Sequence, residues 1–235
     1  MLRTIKQIAR SHTTAGFRRS VRNLYTEFQM QRTHFAAVKQ ARKYPKEAGL
    51  KLNLGAGGDP RPGWVNVDLA ARAADLRLDL RECLPFDDQT VSTIYSEHFL
   101  EHLEYPTDVL SLLRESLRVL APGGLFSVGV PETQAALVNY VERDDELFER
   151  LMATGLYPEW CDTWMHQINH HFRQGNEHKY AYDYETLEKI LHGVGFVSIK
   201  RREFDASLDS EHRKLGTLYV DAHKPDVGLS AAAAT

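Results

Sequence analysis

Between about residues 49 and 224 the chain alternates short apolar, strand-like runs with longer segments of helical periodicity. No other feature limits the fold as tightly. Two strands joined through a helix lie parallel in one sheet, so the pattern predicts an α/β layer fold with a mostly parallel sheet. Runs at 51–54, 64–69, 91–96 and 125–130 read as strands, and 76–80 as a short edge strand or an extended loop. Pro106 opens a helix whose Val109, Leu110, Leu113, Leu117 and Leu120 form one apolar stripe, and Pro122-Gly123-Gly124 stops it and turns the chain. A second amphipathic helix carries Leu187, Ile190, Leu191 and Val194 and ends at Gly193 or Gly195. Runs at 197–204 and 217–222 are close enough to pair antiparallel, which places an antiparallel C-terminal strand at one sheet edge.

The stretch 132–180 breaks the alternation and reads as a lid or substrate-wall insertion. Its first part predicts one helix over 133–153, with Leu137, Val141, Leu147, Phe148 and Leu151 inward. After Gly155 the chain is dense in Trp, Tyr and His. His166 and His170 have i,i+4 spacing, which could chelate a metal, but no acid or Cys completes an obvious ligand set and HExxH is absent; no metal is expected. Tyr157, Trp160, Trp164 and Phe172 suit either core or an aromatic wall, and Arg173, His178 and Tyr182 could reach an anionic substrate.

Charge divides the chain. Residues 1–48 hold eleven Lys/Arg against Glu27 and Glu47, a balance of +9, which leaves −12 on the rest of a 235-residue chain of net charge −3. The expected organisation is a basic helical arm at 1–48, a domain at 49–224 and a tail at 225–235. The arm suits weak contact with an acidic membrane surface, or packing on its own acidic domain. No sequence-specific nucleic-acid motif accompanies it. The first 26 residues lack acids and carry Arg3, Lys6, Arg10, Arg18, Arg19 and Arg22, as transit peptides do. Apolar residues at helical spacing (Val21, Leu24, Tyr25, Phe28) run past that point and favour a retained helix. No uncharged apolar run reaches the roughly 18 residues of a membrane span. Cys83 and Cys161 make no disulfide framework, which suits a reducing, cytoplasmic compartment with the arm at a membrane periphery.

Three acidic or glycine-rich strand ends follow one another. Gly55-Ala56-Gly57-Gly58 lets the backbone turn sharply beside a ligand. Asp68 can accept both hydroxyls of a ribose, and Asp79-Leu80 suits the amino edge and face of an adenine. Pro60 and Pro62 bar a helix directly after the glycines, so a pyrophosphate on a helix N-terminus is poorly supported.

The chain resembles a class I S-adenosylmethionine-dependent methyltransferase of the type 11 kind over roughly residues 50–222. The likeness rests on 52–57 (LNLGAG), Val67-Asp68, 84–88 (LPFDD), Glu101-His102-Leu103, Leu113-Arg114-Glu115 and 118–124 (RVLAPGG). The resemblance implies a Rossmann-like fold and S-adenosyl-L-methionine held by Gly55, Ala56, Gly57, Asp68, Asp79 and Leu80. Three features depart from the pattern: Asn53 replaces the usual acid, Asp59 a common third glycine, and a proline-rich turn at 59–63 the first helix. They resemble a bacterial subgroup associated with glycan synthesis.

Methyl transfer needs alignment, and proton removal where the nucleophile is a hydroxyl. Ser96 and Glu97 fall where the fourth strand meets the methionine part of the cofactor; His98 or Glu97 is expected to face the methyl group, with His98 as general base. The competing role for these residues is to cap the following helix and bond the glycine loop. His102 reads as structural. The expected activity is methyl transfer to a small-molecule or glycan acceptor, at oxygen. A catalytically degenerate binding protein and a nicotinamide-dependent oxidoreductase are the alternatives.

Overall fold

The apolar runs pair as the alternation requires. A computed structural model describes residues 13–44 and 49–226; Arg3, Lys6, Arg10 and the end of the tail lie outside the described residues. The elements are α1 (Ala15–Ala41), β1 (Leu50–Leu54), β2 (Val65–Val67), β3 (Val91–Glu97), α2 (Thr107–Val119), β4 (Leu120–Pro131), α3 (Thr133–Glu142), α4 (Asp145–Ala153), α5 (Trp164–Arg173), α6 (Tyr184–Val194), β5 (Val197–Arg202) and β6 (Thr217–His223). The sheet order is β2-β1-β3-β4-β6-β5, with β1 to β4 parallel and β6 antiparallel to both neighbours. The run 76–80 forms a single bridge, Leu76 to Val67, and is otherwise extended loop.

Strand alternation gives the sheet two unlike faces. One row runs Val65, Leu52, Ile94, Phe126, Ala222 through successive strands and packs under α2 and α6, whose Val109, Leu113, Leu187 and Leu191 are fully buried in the same core. The opposite face carries the row Asn66, Asn53, Tyr95, Ser127, Asp221. A Rossmann-type sheet ordinarily buries both faces under helices. Here the turn at 59–63 and the loop 203–216 cover this second face with polar groups. Asp209 binds Arg202 and Tyr95, and Arg61 lies 4.2 Å over the Tyr95 ring. Asn53 belongs to this layer, donating to Asn66 Oδ1 at 3.0 Å and to the Asp59 carbonyl at 3.3 Å.

The described part of the arm, residues 13–44, forms one long helix, α1. Thr14 caps it by accepting from the Phe17 N–H. His34, Ala37 and Ala41 bury its C-terminal half, and Gln40 Nε2 donates to the Asp75 carbonyl. Its N-terminal half leaves Phe17, Val21, Leu24, Tyr25 and Phe28 at least half exposed. Packing on the chain's own domain therefore holds for one half of the helix. No helix of the described residues is long and apolar enough to cross a membrane.

Apart from the shortening of the 64–69 run to β2 at Val65–Val67, three boundaries differ from expectation. The single helix over 133–153 is two: Arg143 adopts a left-handed φ of 58°, and Asp144 starts α4 by accepting from the Leu147 N–H. Leu151 is buried, but Leu137 is 46% and Val141 77% exposed, because the break turns α3 out of the stripe that a continuous helix would present. Second, α2 stops at Val119, and 120–124 continues as strand rather than as a turn. Third, β5 ends at Arg202, two residues before the expected end, where the polar loop begins.

Candidate active site

The glycine loop leaves β1 with Gly55 at φ +71° and Gly57 at φ +52°, both left-handed. Its backbone is fastened to the end of β2: Gly55 and Ala56 N–H donate to the Val67 carbonyl at 2.9 and 3.1 Å. Asp68 completes the attachment. Its Oδ2 accepts from the Gly57 N–H at 2.9 Å, and its Oδ1 from the Ala70 and Ala71 N–H groups at 2.8 and 2.7 Å. A Cβ on Gly55 would lie 2.4 Å from the Phe99 ring, whereas around Gly58 nothing lies within 4 Å. The loop is thus tightly backed on one side and open on the other. Together with the Asp68 acceptor, that cradle fits an adenosyl cofactor in kind.

The remaining expected cofactor residues are less uniform. Ser96 lies beside Leu54 in register, and its buried Oγ has no hydrogen-bond partner among the described residues. Leu80 is buried in the core. Asp79 is engaged: Arg81 Nε donates to its Oδ1 at 2.9 Å and Arg81 Nη2 to its Oδ2 at 2.7 Å, while Nη2 also donates to Glu27 of α1 at 3.0 Å. Burial pushes the Asp79 carboxyl up, but the bonds from Arg81 outweigh it and hold the group below the usual carboxylate range. Asp79 N–H donates to His34 Nδ1 at 3.2 Å. A cleft of about 360 Å³ opens between this pair and Leu24, Phe28 and Phe35 of α1.

Glu97 and His98, adjacent in sequence, have separate surroundings. Glu97 points into the polar layer, where it accepts from Ser210 Oγ at 2.6 Å and Tyr219 OH at 3.0 Å, with Arg213 Nη1 at 3.5 Å. Ser210 Oγ also lies against Asp59, so the loop 203–216 links Glu97 to the end of the glycine loop. Glu97 thus bonds loop 203–216 and β6, and neither caps the following helix nor bonds the glycine loop directly. His98 has φ +52° and lines a small cavity of about 70 Å³, with Pro131, Tyr157, His170, His171 and His178. Its Nε2 lies 2.8 Å from Thr217 Oγ1 and its Nδ1 3.8 Å from Glu101 Oε1. Burial, reinforced by Arg213 and neighbouring histidines, holds its pKa well below the ordinary imidazole value, which keeps the ring neutral and lowers its basicity.

The insertion supplies most of the remaining cavity wall, with Leu215 and Gly216 of the 203–216 loop. His171 Nε2 lies 2.9 Å from Thr133 Oγ1, and burial brings its pKa down to about 4. His166 and His170 do not act as a pair: His166 Nδ1 binds Asp162 at 2.8 Å, and His170 turns to the cavity between Tyr157 and Trp160. Trp164 and Tyr182 are buried, while Trp160 is 57% exposed. A different grouping forms instead. Glu101, His102 and His178 bring one oxygen and two ring nitrogens within 4.8 Å of one another. Glu101 is 1% exposed, and its carboxyl is pushed up to about 8 chiefly by burial. Nothing in the spacing brings position 178 to position 101; the visible trace is Glu101-His102 one turn after His98.

Residues 56–128 match the family described as a methyltransferase domain. The matched segment runs from the glycine loop into β4 and so includes Asp68, Asp79 and the end of β3. The match marks residues 56–128 as methyltransferase-like, a class whose cofactor is S-adenosylmethionine. It does not favour the nicotinamide-dependent reading. Among solved structures, Haemonchus contortus phosphoethanolamine N-methyltransferase 2, in complex with phosphomonomethylethanolamine and S-adenosylhomocysteine, is 14% identical, with a TM-score of 0.46 over 80% of this chain and 51% of that one. This chain thus spans about half the length of that enzyme. A Thermotoga maritima SAM-dependent methyltransferase is 15% identical, with a TM-score of 0.45 over 88% and 98% of the two chains. One from Archaeoglobus fulgidus is 16% identical, with a TM-score of 0.45 over 80% and 92%. No curated protein matches the chain.

Proposed function

We propose that the chain methylates an oxygen of a small-molecule or glycan acceptor whose reacting end enters the cavity beside His98. One observation carries this reading. His98 and Phe99 are consecutive, and Phe99 packs on Gly55 while His98 lines the cavity. A single dipeptide therefore links the cofactor loop to the acceptor space. The cavity of about 70 Å³ is far below the roughly 300–1,000 Å³ that encloses a drug-sized ligand. It suits one hydroxyl-bearing end of an acceptor, with the remainder outside along Tyr157 and Trp160. The resemblance to glycan-associated enzymes favours a sugar hydroxyl.

S-adenosylmethionine supplies an electrophilic methyl on a sulfonium, which leaves as a neutral thioether. On this reading Gly55, Ala56 and Gly57 let the backbone approach the cofactor, Asp68 accepts from its ribose, Asp79 and Leu80 take its adenine, and Ser96 contacts its methionine end. Adenine contact by Asp79 requires Arg81 to share or release that carboxylate. His98, neutral and oriented by Thr217, takes the acceptor hydroxyl proton as the oxygen–methyl bond forms. Glu97 acts indirectly, by holding the loop that carries Ser210 and Arg213 and leads into Thr217 of β6. The direct test is release of S-adenosylhomocysteine with panels of hydroxyl-bearing sugars and of amines. O-methyl product supports the reading; methylation of amines alone refutes it.

We also infer that the outer half of α1 rests on an acidic lipid surface. Phe17, Leu24, Tyr25 and Phe28 are 54–73% exposed beside Arg19 and Arg22, the pattern of an interfacial amphipathic helix. Placement in the cytoplasm at a membrane periphery accords with it.

A further inference from the structure

We propose that Glu101, His102 and His178 bind one first-row divalent transition-metal ion at the edge of the acceptor cavity. Two imidazoles and one carboxylate are the donor set of many zinc and non-haem iron sites that keep positions open for a substrate. The three donor atoms lie within 4.8 Å of one another, close enough for side-chain adjustment to bring them onto bonds of about 2.0–2.2 Å.

Burial without partners is the second, independent observation. Both carboxylate oxygens of Glu101 and Nε2 of His178 are buried with no hydrogen-bond partner among the described residues. A buried carboxyl with no hydrogen bond, His98 Nδ1 lying 3.8 Å from it, is costly to ionise, and a bound cation removes that cost. His178 also has the second contact that metal-ligating histidines usually make: its Nδ1 lies 2.6 Å from the His171 carbonyl, which leaves Nε2 as the ligand nitrogen. Backbone bonds hold the two distant segments together, with the Lys179 and Tyr180 N–H groups donating to the Glu101 carbonyl at 2.7 and 3.3 Å. His178 lines the cavity together with His98, which places the site at the cavity's edge. A bound ion there would polarise an acceptor oxygen and lower the pKa of its hydroxyl. That catalytic role rests on the proposed function; the binding itself does not.

Co²⁺ is the probe. The metal-stripped full chain is titrated with Co²⁺, following visible absorption and equilibrium dialysis. The expected result is one tight equivalent whose affinity falls at least about tenfold in His178→Ala and in Glu101→Gln, and is unchanged in His166→Ala. Binding equal in the native chain and in a folded His102→Ala/His178→Ala double variant overturns the proposal. Should those variants fail to fold, diethyl pyrocarbonate modification of the native chain decides: Co²⁺ is expected to protect His102 and His178 selectively, and lack of protection is the contrary result. A thermal shift with S-adenosylhomocysteine on the same sample reports the cofactor site separately.

Discussion

Replacing Asp209 with alanine should destabilise the fold by about 4 kcal/mol. The Asp209 side chain is fully buried, while that of Arg202 is 16% exposed. Its Oδ1 accepts from Tyr95 OH at 2.9 Å and Arg202 Nη2 at 2.7 Å; its Oδ2 accepts from Arg202 Nη1 at 2.6 Å and the Asp205 N–H at 2.7 Å. Breaking a buried ion pair from one side costs about 3–5 kcal/mol, because the other charge stays behind. Asp221 remains 3.1 Å from Arg202 Nε, which places that loss near 3 kcal/mol. The orphaned Tyr95 hydroxyl adds roughly 1 kcal/mol or more. For a chain of this size the midpoint then falls by about 8–16 °C. Urea unfolding followed by circular dichroism measures the loss, provided the transition is two-state. A loss below about 1 kcal/mol, the range of an exposed pair, would refute the reasoning that loop 203–216 forms a buried second layer on the sheet.

Three further outcomes are expected. His98→Gln should lower kcat by about 10²–10⁴-fold with little change in S-adenosylhomocysteine affinity, and a variant with native kcat removes His98 as the base. Leu24→Glu/Phe28→Glu should abolish co-sedimentation with phosphatidylserine vesicles while leaving the midpoint nearly unchanged, since both side chains are more than half exposed; sedimentation like that of the native chain contradicts the membrane reading. Glu115, bonded to Arg118 and the Leu84 N–H, has its pKa held below the usual value, first by Arg118. A depressed carboxylate stabilises the fold above its unfolded pKa, about 4.3, and loses that contribution as pH falls through the folded value. The stability gap between the native chain and Glu115→Gln should therefore be constant above about pH 5 and close below it, and urea titrations from pH 3 to 7 that show a constant gap contradict this.

The sheet was legible where burial is on one face and local in sequence. Leu52, Leu54, Ile94, Phe126 and Val128 stand in short apolar runs bounded by glycine, proline or charge, and each run became a strand. Val109 and Leu113 likewise mark α2. The second face was not legible. Asn53 reads as a departure from a pattern, and only the pairing with Asn66 and the Asp59 carbonyl shows it to be part of a polar layer. That layer depends on contacts across more than a hundred residues, such as Tyr95 with Asp209 and Glu97 with Ser210. Leu137 and Val141 misled for a local reason: they keep helical spacing across a break set by the backbone of Arg143. At the candidate site, the order of the glycine loop, Asp68 and Asp79 drew attention to these residues, and a hydrogen bond ties Gly57 to Asp68. The histidine cluster joins two segments more than seventy residues apart, and no periodicity connects them.

Whether the glycine loop and Asp68 hold an adenosyl cofactor is the claim on which the rest depends. Thermal unfolding with and without S-adenosylhomocysteine, on the native chain and on Asp68→Ala, tests it most directly. At about 100 times the dissociation constant the ligand contributes roughly 2.7 kcal/mol, a midpoint rise of about 5–11 °C. The account predicts that rise in the native chain and its loss in Asp68→Ala. No shift at saturating ligand, or an equal shift in both proteins, would contradict it.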